Sequence, residues 1–309
     1  MAPIEYQRIT DRVGVIPLRT NVGVIHSGSD CVLIDTGIDE EVGKRILKVT
    51  SSMGLSVKAI VNTHSHSDHY GGNSFIVEKS GARVFAPGGE AWVIENPWLE
   101  AAYFSQGAAP LPQLLNKFVV GPPCKVNQLI SSGPFEAGGM ELEAVPLPGH
   151  SFAMTGVGAD GVLFCGDSLF GEDTIAKHHV LFLHDPDTTR ESLRRIAGLP
   201  HGWFVPSHGQ PVGRSEVGAL VARNIAAIDS FDECILKSVK GPIALSALAS
   251  RALVAAGVQT ADETRVALMQ STARAHITSL ARAGKLMVAP GAPGTGFECD
   301  LVCTLPGVP

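Results

Sequence analysis

Short runs of apolar and β-branched residues, separated by turn-forming residues, dominate the first third of the chain. Such runs predict strands, here over residues 13–17, 22–27, 31–35, 57–62 and 83–86. A 3.6-residue period of apolar positions predicts a helix over about 39–53, and a second helix follows over 73–80. This succession of strands and helices is typical of a layered α/β domain.

The alternation breaks between about Gly88 and Lys125. Trp92, Trp98 and Phe118 stand there among several prolines, which predicts a partly helical insertion. Two interpretations of its aromatic residues stay open, ordinary core packing and a lid over a site. After the insertion the earlier pattern returns, with strands predicted over 128–130, 140–146, 161–165 and 203–205 and a helix over 188–197.

The pattern changes again beyond Gly209. Helical periods cover residues 217–239, 244–256 and 264–283, and strand-like runs over 285–289 and 298–304 flank a turn rich in proline and glycine. Helices followed by a hairpin indicate a small winged-helix-like α+β domain. We therefore expect a larger α/β domain over residues 1–212, interrupted by the insertion at about 88–125, and a small domain over 213–309.

Composition narrows the class of protein. Of the 309 residues, 45% are apolar and 17% are charged, so the chain can bury a core and is too apolar for a disordered protein. A net charge of −6 and a pI near 6.0 argue against an obligate nucleic-acid binder. The chain shows no signal-peptide pattern, no apolar run of bilayer length and no CxxC pair among its six cysteines. These features favour a cytoplasmic protein that does not enter a membrane.

A histidine-rich stretch follows the strand predicted over 57–62. It reads NTHSHSDHYGGN and contains His64, His66, Asp68 and His69. In extended backbone His64 and His66 project to the same side, and Gly71-Gly72 permits the chain to turn before the next helix. Imidazoles and a carboxylate that converge on one point suit zinc or iron.

Three further candidate ligands stand at the ends of predicted strands, namely His150 in PGHS, Asp167 in GDS and His208 in SHG. In this order and at these intervals, the four motifs resemble those of the metallo-β-lactamase superfamily. The likeness covers about residues 10–212, includes the LIDTG run at 33–37 and is highly specific. It is closer to the glyoxalase II-like and lactamase-beta-2-like branches, because Asp167 stands where the true β-lactamases often use cysteine.

The resemblance implies a fold and a metal centre. The fold would be a four-layer αββα sandwich, with the ligand loops at one edge between the two sheets. The centre would hold two divalent metal ions, zinc in the first place and iron or manganese as alternatives. The first ion would be bound by His64, His66 and His150, the second by Asp68, His69 and His208, and both would be bridged by Asp167.

Such a pair of ions defines a reaction. Two divalent ions about 3.5–4 Å apart can share a water and lower its pKa from 15.7 toward about 7, which gives a bridging hydroxide as nucleophile. Asp68 is placed to hold the second ion and to hand on a proton, so we expect it to be the catalytic acid/base. Asp35 is expected to orient a ligand histidine or its loop.

Other reactive side chains receive plainer interpretations. Cys165 is expected to be a small buried hydrophobe. His178, His179 and His184 are expected to be core or surface residues, although one of them could contact a substrate. Tyr70 fits packing and a pocket wall equally well.

We expect a binuclear hydrolase of a small ester, thioester or lactone, because the aromatic insertion can wall an apolar acyl group. A phosphodiesterase or endoribonuclease of the same fold is an alternative with RNA as substrate. It gains some weight from residues 275–286, which resemble the winged helix of lactamase-beta-2-like hydrolases. A mononuclear iron persulfide dioxygenase, which would use only His64, His150 and Asp167, stays open as well. Packing of the tail against a second subunit would make the protein a homodimer.

Overall fold

The computed structural model describes residues 5–296 and 300–307. Its first sheet has seven strands whose order across the sheet follows their order in the chain. These strands are β1 (Gln7–Arg8), β2 (Val13–Ile16), β3 (Val22–Ser27), β4 (Asp30–Ile34), β5 (Ser56–Val61), β6 (Arg83–Pro87) and β7 (Gln128–Ile130). The strands from β1 to β4 pair antiparallel, and those from β4 to β7 pair parallel.

Helices occupy the connections of this first sheet. They are α1 (Glu40–Ser52), α2 (Ser67–Tyr70), α3 (Asn73–Ser80), α4 (Gly88–Glu95) and α5 (Trp98–Phe104), with a 3₁₀ turn at Pro112–Leu114. Asp39 caps the start of α1, since its carboxylate accepts a hydrogen bond from the Val42 backbone N–H at 3.1 Å. The last two helices and the 3₁₀ turn form the predicted insertion.

The second sheet has six strands in the order β13-β12-β11-β10-β9-β8. These are β8 (Gly133–Ala137), β9 (Met140–Pro146), β10 (Thr155–Ala159), β11 (Val162–Gly166), β12 (Trp203–Pro206) and β13 (Val212–Gly213). All neighbours pair antiparallel except β11 and β12. The parallel pair is connected through α6 (Glu172–Lys177) and α7 (Pro186–Gly198), because a parallel pairing needs a crossover of helical length.

Alternating side chains assign each strand face to a layer. In β4, Val32 and Ile34 belong to the core between the two sheets, whereas Leu33 packs with Ile46 of α1 on the outer face. The outer face of the second sheet packs in the same way on α7 and on α8 (Val217–Ser238). The layers are therefore helix, sheet, sheet, helix, in agreement with the expected αββα sandwich.

The last part of the chain forms its own apolar cluster. After α8 come β14 (Ile243–Ala244), α9 (Leu245–Ala255), α10 (Glu263–Arg282), β15 (Met287–Pro290) and β16 (Leu301–Thr304). The three strands form a small antiparallel sheet in the order β14-β16-β15. Positions 298 and 299 of the predicted last strand lie outside the described residues.

Three strands of the second sheet, β8, β10 and the two-residue β13, escaped the sequence prediction. The sequences of β8 and β10, GPFEA and TGVGA, contain proline and glycine, which are depleted in strands, so partners in the sheet decide their conformation. The five described cysteines are unpaired. Within residues 5–296 and 300–307, no helix combines the length and apolar character that a membrane crossing requires.

Candidate metal centre

All seven residues predicted to bind metal meet in one cluster. They lie in the segments that follow the ends of β5, β9, β11 and β12, with Asp68 and His69 on the short helix α2. Their candidate ligand atoms fall into three groups, each with all atoms within 4.8 Å of one another: His64, His66 and His150; His64, His69 and Asp167; and Asp68, His69 and His208. We call the first group the histidine half and the third group the carboxylate half.

The histidine half consists of two buried rings, His64 and His150, and the partly buried ring of His66 around a common point. His66 Nδ1 lies 3.0 Å from His64 Nε2 and 2.9 Å from His150 Nε2. Burial lowers the pKa of His66 to about 4 and that of His150 to about 3, and it holds the pKa of His64 well below the ordinary value. The rings are therefore neutral near pH 7, which is the form that binds a metal ion.

In the carboxylate half, by contrast, the imidazoles are protonated near pH 7. His208 Nε2 lies 3.4 Å from carboxylate oxygens of both Asp68 and Asp167. Burial opposes a charge on His208, but these two carboxylates outweigh it and raise the pKa to about 10. In His69, burial is likewise outweighed by Asp167, Asp68 and Asp35, which raise its pKa well above the ordinary value. In the absence of metal, the protonated imidazoles of His208 and His69 therefore form ion pairs with the carboxylates of this half.

Asp167 lies between the two halves. Its Oδ2 is 3.6 Å from His150 Nε2 and 3.4 Å from His208 Nε2. Its Oδ1 is 3.6 Å from His69 Nε2. Burial opposes its ionisation, yet His208 and His69 hold the carboxyl pKa well below its usual range. An ionised carboxylate in this position faces candidate ligands in both halves.

Two unpaired atoms test whether a cation fits this cluster. His69 Nε2 and Asp167 Oδ1 are both buried, and each lacks a hydrogen-bond partner among the described residues. They face each other at 3.6 Å, which is too long for a hydrogen bond. Buried polar atoms are normally satisfied, and a divalent ion between them would satisfy both. The donor set of imidazoles and carboxylates suits zinc, iron or manganese.

The outer nitrogens of the rings are held by partners that orient them. His150 Nδ1 lies 2.9 Å from the Phe182 carbonyl oxygen, and His208 Nδ1 lies 2.9 Å from that of Arg19. Because a carbonyl can only accept, each Nδ1 carries a proton and donates it. Each Nε2 therefore points at the centre.

Asp35 orients His69, as the sequence predicted. Its Oδ2 accepts from His69 Nδ1 at 2.8 Å, and its carboxylate also accepts from the backbone and the hydroxyl of Thr63, each at 2.8 Å. Asp35 adopts a φ of 62°, a left-handed conformation that costs energy for a non-glycine residue. Its three hydrogen bonds hold it there.

The chain turns at the glycine pair before α3, as expected, but this turn does not need the conformational freedom of glycine. Gly71 and Gly72 have φ values of −58° and −82°, which any residue can adopt. A Cβ on Gly71 would instead lie 2.0 Å from the Ile38 carbonyl oxygen, and one on Gly72 would lie 2.4 Å from that of Thr36. The glycines are needed because the loop after β4 packs directly on this backbone.

Two carboxylates that the sequence analysis missed also approach the cluster, and both come from the insertion. Glu90 of α4 is fully buried and accepts hydrogen bonds from Ser65. Glu100 of α5 places Oε1 3.5 Å from His66 Nε2. Burial, together with the negative charges of Glu90 and Asp68, raises the pKa of Glu100 well above the usual range. A glutamate within the apolar run GGEAWVIE was the available signal for Glu90.

A cavity of about 750 Å³ opens on the cluster. Candidate ligands line part of the wall. The rest is mixed, with apolar side chains such as Phe118 of the insertion, Phe170, Phe182, and Leu268 and Met269 of α10 beside charged residues such as Lys177 and Arg265. The insertion thus supplies part of the wall, but Trp92 and Trp98 are 69% and 57% exposed and belong to neither the core nor the cavity.

The remaining candidates have separate locations. His178 lines the cavity, whereas His184 packs beside Phe152 with ring centroids 4.2 Å apart. Tyr70 is fully buried, and its hydroxyl accepts from the Gly121 backbone N–H at 3.1 Å, so it serves packing. Cys165 is buried, and burial raises the pKa of its thiol, as a small hydrophobe requires.

The family follows from a comparison with known proteins. The family model of the metallo-β-lactamase superfamily matches residues 15–208. The match covers more than half of the chain, and the chain belongs to that superfamily. Two solved structures share the fold over nearly the whole chain. A beta-lactamase domain protein of Burkholderia ambifaria aligns with a TM-score of 0.72 and 20% identity, covering 98% of this chain and 94% of that one.

The other solved structure is a metallo-β-lactamase family protein of Thermus thermophilus, with a TM-score of 0.71 and 21% identity, covering 95% of this chain and 97% of that one. Among curated relatives, a hydroxyacylglutathione hydrolase of Methylobacillus flagellatus is 27% identical over 179 residues, 58% of this chain and 57% of the relative. A beta-lactamase-like protein 2 homolog of Drosophila melanogaster is 29% identical over 209 residues, 64% and 62% of the two chains. The alignments thus cover less than two thirds of either relative.

Proposed function

We propose that this chain is a metal-dependent hydrolase of a small ester, thioester or lactone, with a thioester as the first choice. One observation carries the proposal: seven candidate ligands, two of which have unsatisfied buried atoms, meet at a cavity whose wall is partly apolar. The name of the bacterial relatives, hydroxyacylglutathione hydrolase, describes cleavage of a thioester. It supports the choice of an acyl substrate.

The proposed centre holds two ions, zinc in the first place. His64, His66 and His150 would hold one ion, Asp68, His69 and His208 the other, and Asp167 both. When bound, the ions would supply Lewis acidity and a water of lowered pKa. The neutral state of the histidine half and the two unsatisfied atoms between the halves support this assignment.

Asp68 is our choice for the group that moves protons. Both Asp68 and Asp167 line the cavity, but the Asp68 side chain is 30% exposed and that of Asp167 only 7%. Its Oδ2 accepts a hydrogen bond from Thr20 Oγ1 at 3.1 Å, which holds the carboxylate in place. From there it can accept a proton from an attacking water and return it to the leaving group.

The cavity wall also suggests what the substrate carries besides its acyl group. Arg19, Lys177 and Arg265 line the cavity and have no ion-pair partner within the part of the chain that the structure describes. They would favour an anionic group at a distance from the scissile bond. Asp173 and Asp262 share the wall, so it is not the continuous basic surface that a polynucleotide needs. RNA therefore remains the alternative.

Metal content and a substrate panel test the proposal together. Two zinc ions per chain and cleavage of at least one thioester or lactone are the expected results. One iron per chain, with oxygen uptake in the presence of a persulfide, would replace the proposal with the dioxygenase. Cleavage of single-stranded RNA without any thioester or lactone activity would replace it with the ribonuclease.

We further propose that residues 213–309 form the winged-helix-like domain, separate from the catalytic domain over 1–212. Three helices, α8 to α10, followed by the β15/β16 hairpin support this proposal. In this arrangement α10 closes one side of the cavity. A homodimer and a cytoplasmic location stay predictions.

A further inference from the structure

We propose that Glu90 is a positioning residue that ties the two histidine-bearing loops of the histidine half to each other and so sets the affinity for one of the two ions. The inference rests on the proposed metal centre but does not depend on which substrate the protein cleaves. Glu90 lies on α4 in the insertion, outside the strands and loops that carry the candidate ligands.

The Glu90 carboxylate bridges two loops. Its Oε2 accepts from the backbone N–H of Ser65 at 3.0 Å and from the Ser65 hydroxyl at 2.6 Å. Its Oε1 accepts from the Ser151 hydroxyl at 2.8 Å and from the backbone N–H of Ala153 at 2.7 Å. Ser65 stands between His64 and His66, and Ser151 directly follows His150. One carboxylate thus holds the neighbours of all three histidines.

The pattern of donors requires a carboxylate. A backbone N–H can only donate, and each oxygen of Glu90 faces one. A glutamine would have to turn its NH₂ group toward Ser65 N or Ala153 N and would leave that buried N–H without an acceptor. An aspartate would fall short by one methylene.

Burial makes this arrangement informative. The exposed fraction of Glu90 is 0%, and removing a carboxylate from water is costly unless it is fully hydrogen-bonded. The surrounding apolar cluster already anchors α4 through Ala91 and Ile94. What the carboxylate adds is a fixed distance between the loops, which keeps His66 Nδ1 between His64 Nε2 and His150 Nε2.

The test compares Glu90→Gln with Glu95→Gln. Glu95 lies on the same helix, is exposed, and accepts one bond, from the Val126 backbone N–H at 2.9 Å; glutamine can still accept that bond. Zn²⁺ is titrated into each metal-free protein in competition with a chelator of known affinity, and circular dichroism checks the fold. We expect Glu90→Gln to weaken the binding of one ion by roughly 10–100-fold, and Glu95→Gln to leave both ions unchanged.

Two outcomes would overturn the inference. If Glu90→Gln lowers the Tm of the metal-free protein but binds both ions as the wild type does, Glu90 has only a structural role. If Glu90→Gln does not fold, Ser65→Ala and Ser151→Ala decide, since each removes one hydroxyl and keeps the backbone donors. Each of these two variants should bind the same ion a few-fold more weakly. Wild-type affinity in both variants would refute the proposal.

These results are separable from the proposed function. A wild-type protein that binds two ions but cleaves no thioester or lactone would refute the hydrolase and leave Glu90 to its own test. A wild-type protein that cleaves a thioester, with a Glu90→Gln variant of unchanged metal affinity, would refute the positioning role alone.

Discussion

The histidine half and the carboxylate half of the candidate centre are adjacent, but their imidazoles have opposite protonation states near pH 7. Burial, reinforced by the neighbouring imidazoles, keeps the histidine half neutral, with a pKa of about 4 for His66 and about 3 for His150. In the carboxylate half, Asp68 and Asp167 overcome the same burial and raise the pKa of His208 to about 10. One half is ready for a cation, and the other must first release protons.

This difference shows what each carboxylate contributes. A buried imidazole whose burial outweighs its carboxylate neighbours is a ready ligand but has no charge to hold a dication. Carboxylates that outweigh burial supply the negative charge and, in the absence of metal, keep the adjacent imidazole protonated. Asp167, which reaches both halves, combines them into one centre.

Removing Asp167 should have the largest effect. Asp167→Ala deletes the only side chain among the candidates that approaches His69, His150 and His208 together. We expect loss of bound metal and a fall in hydrolysis of ~10³-fold or more, because metal ions contribute several kcal/mol to such reactions. Metal analysis and initial rates measure both. Asp173→Ala, in the same cavity wall, is the control, and retention of two ions by Asp167→Ala would contradict the assignment.

Asp35→Asn probes chiefly the carboxylate half, because Asp35 contacts His69 directly and reaches His64 only through the Thr63 hydroxyl. The asparagine keeps the size of the side chain but loses one of the acceptors that hold His69 and Thr63. We expect the ion at His69 to bind about 10–100-fold more weakly, while the histidine half keeps its affinity. Chelator competition with Zn²⁺ gives the two constants separately. Equal weakening of both ions would show that Asp35 supports the whole cluster and not one half.

The pH dependence of metal binding should separate the halves directly. An ion at His208 must displace a proton at any pH below about 10. Its apparent affinity should therefore rise with pH, by about tenfold per unit for each proton released. His66 and His150 have lost their protons above about pH 4, so the other ion should show little dependence. Titrations between about pH 6 and pH 9 test this, and parallel slopes for the two ions would refute the comparison.

Tyr70→Phe should give the smallest effect, because Tyr70 serves neither half. The variant leaves the buried Gly121 N–H without an acceptor, which costs about 1–3 kcal/mol of unfolding free energy. Denaturant unfolding measures that loss, and metal affinity should stay at the wild-type value. A changed affinity would mean that packing behind α2 transmits to the adjacent ligands.

The sequence was sufficient to predict those residues of the centre that lie in short, recognisable motifs. The seven candidate ligands follow strand ends in short motifs, and the strands that carry them, such as β5 and β12, are apolar enough to be recognised. Glu90 and Glu100 could not be placed, because no period links them to the histidines and only the folded insertion brings them there. The turn at the glycine pair was predicted, but the reason for glycine was not, since the carbonyls of Thr36 and Ile38 that exclude a Cβ belong to a distant loop.

The contribution of α10 to the cavity has a consequence for how the chain can be divided. The superfamily match ends at residue 208, whereas Leu268 and Met269 line the far side of the cavity. A fragment that ends where the match stops would keep every candidate ligand. It would lack the part of the cavity wall that α10 supplies, so the ligands would be more exposed to solvent. The candidate ligands all lie within the segment that the superfamily model matches. The cavity that would select a substrate is formed by that segment together with α10.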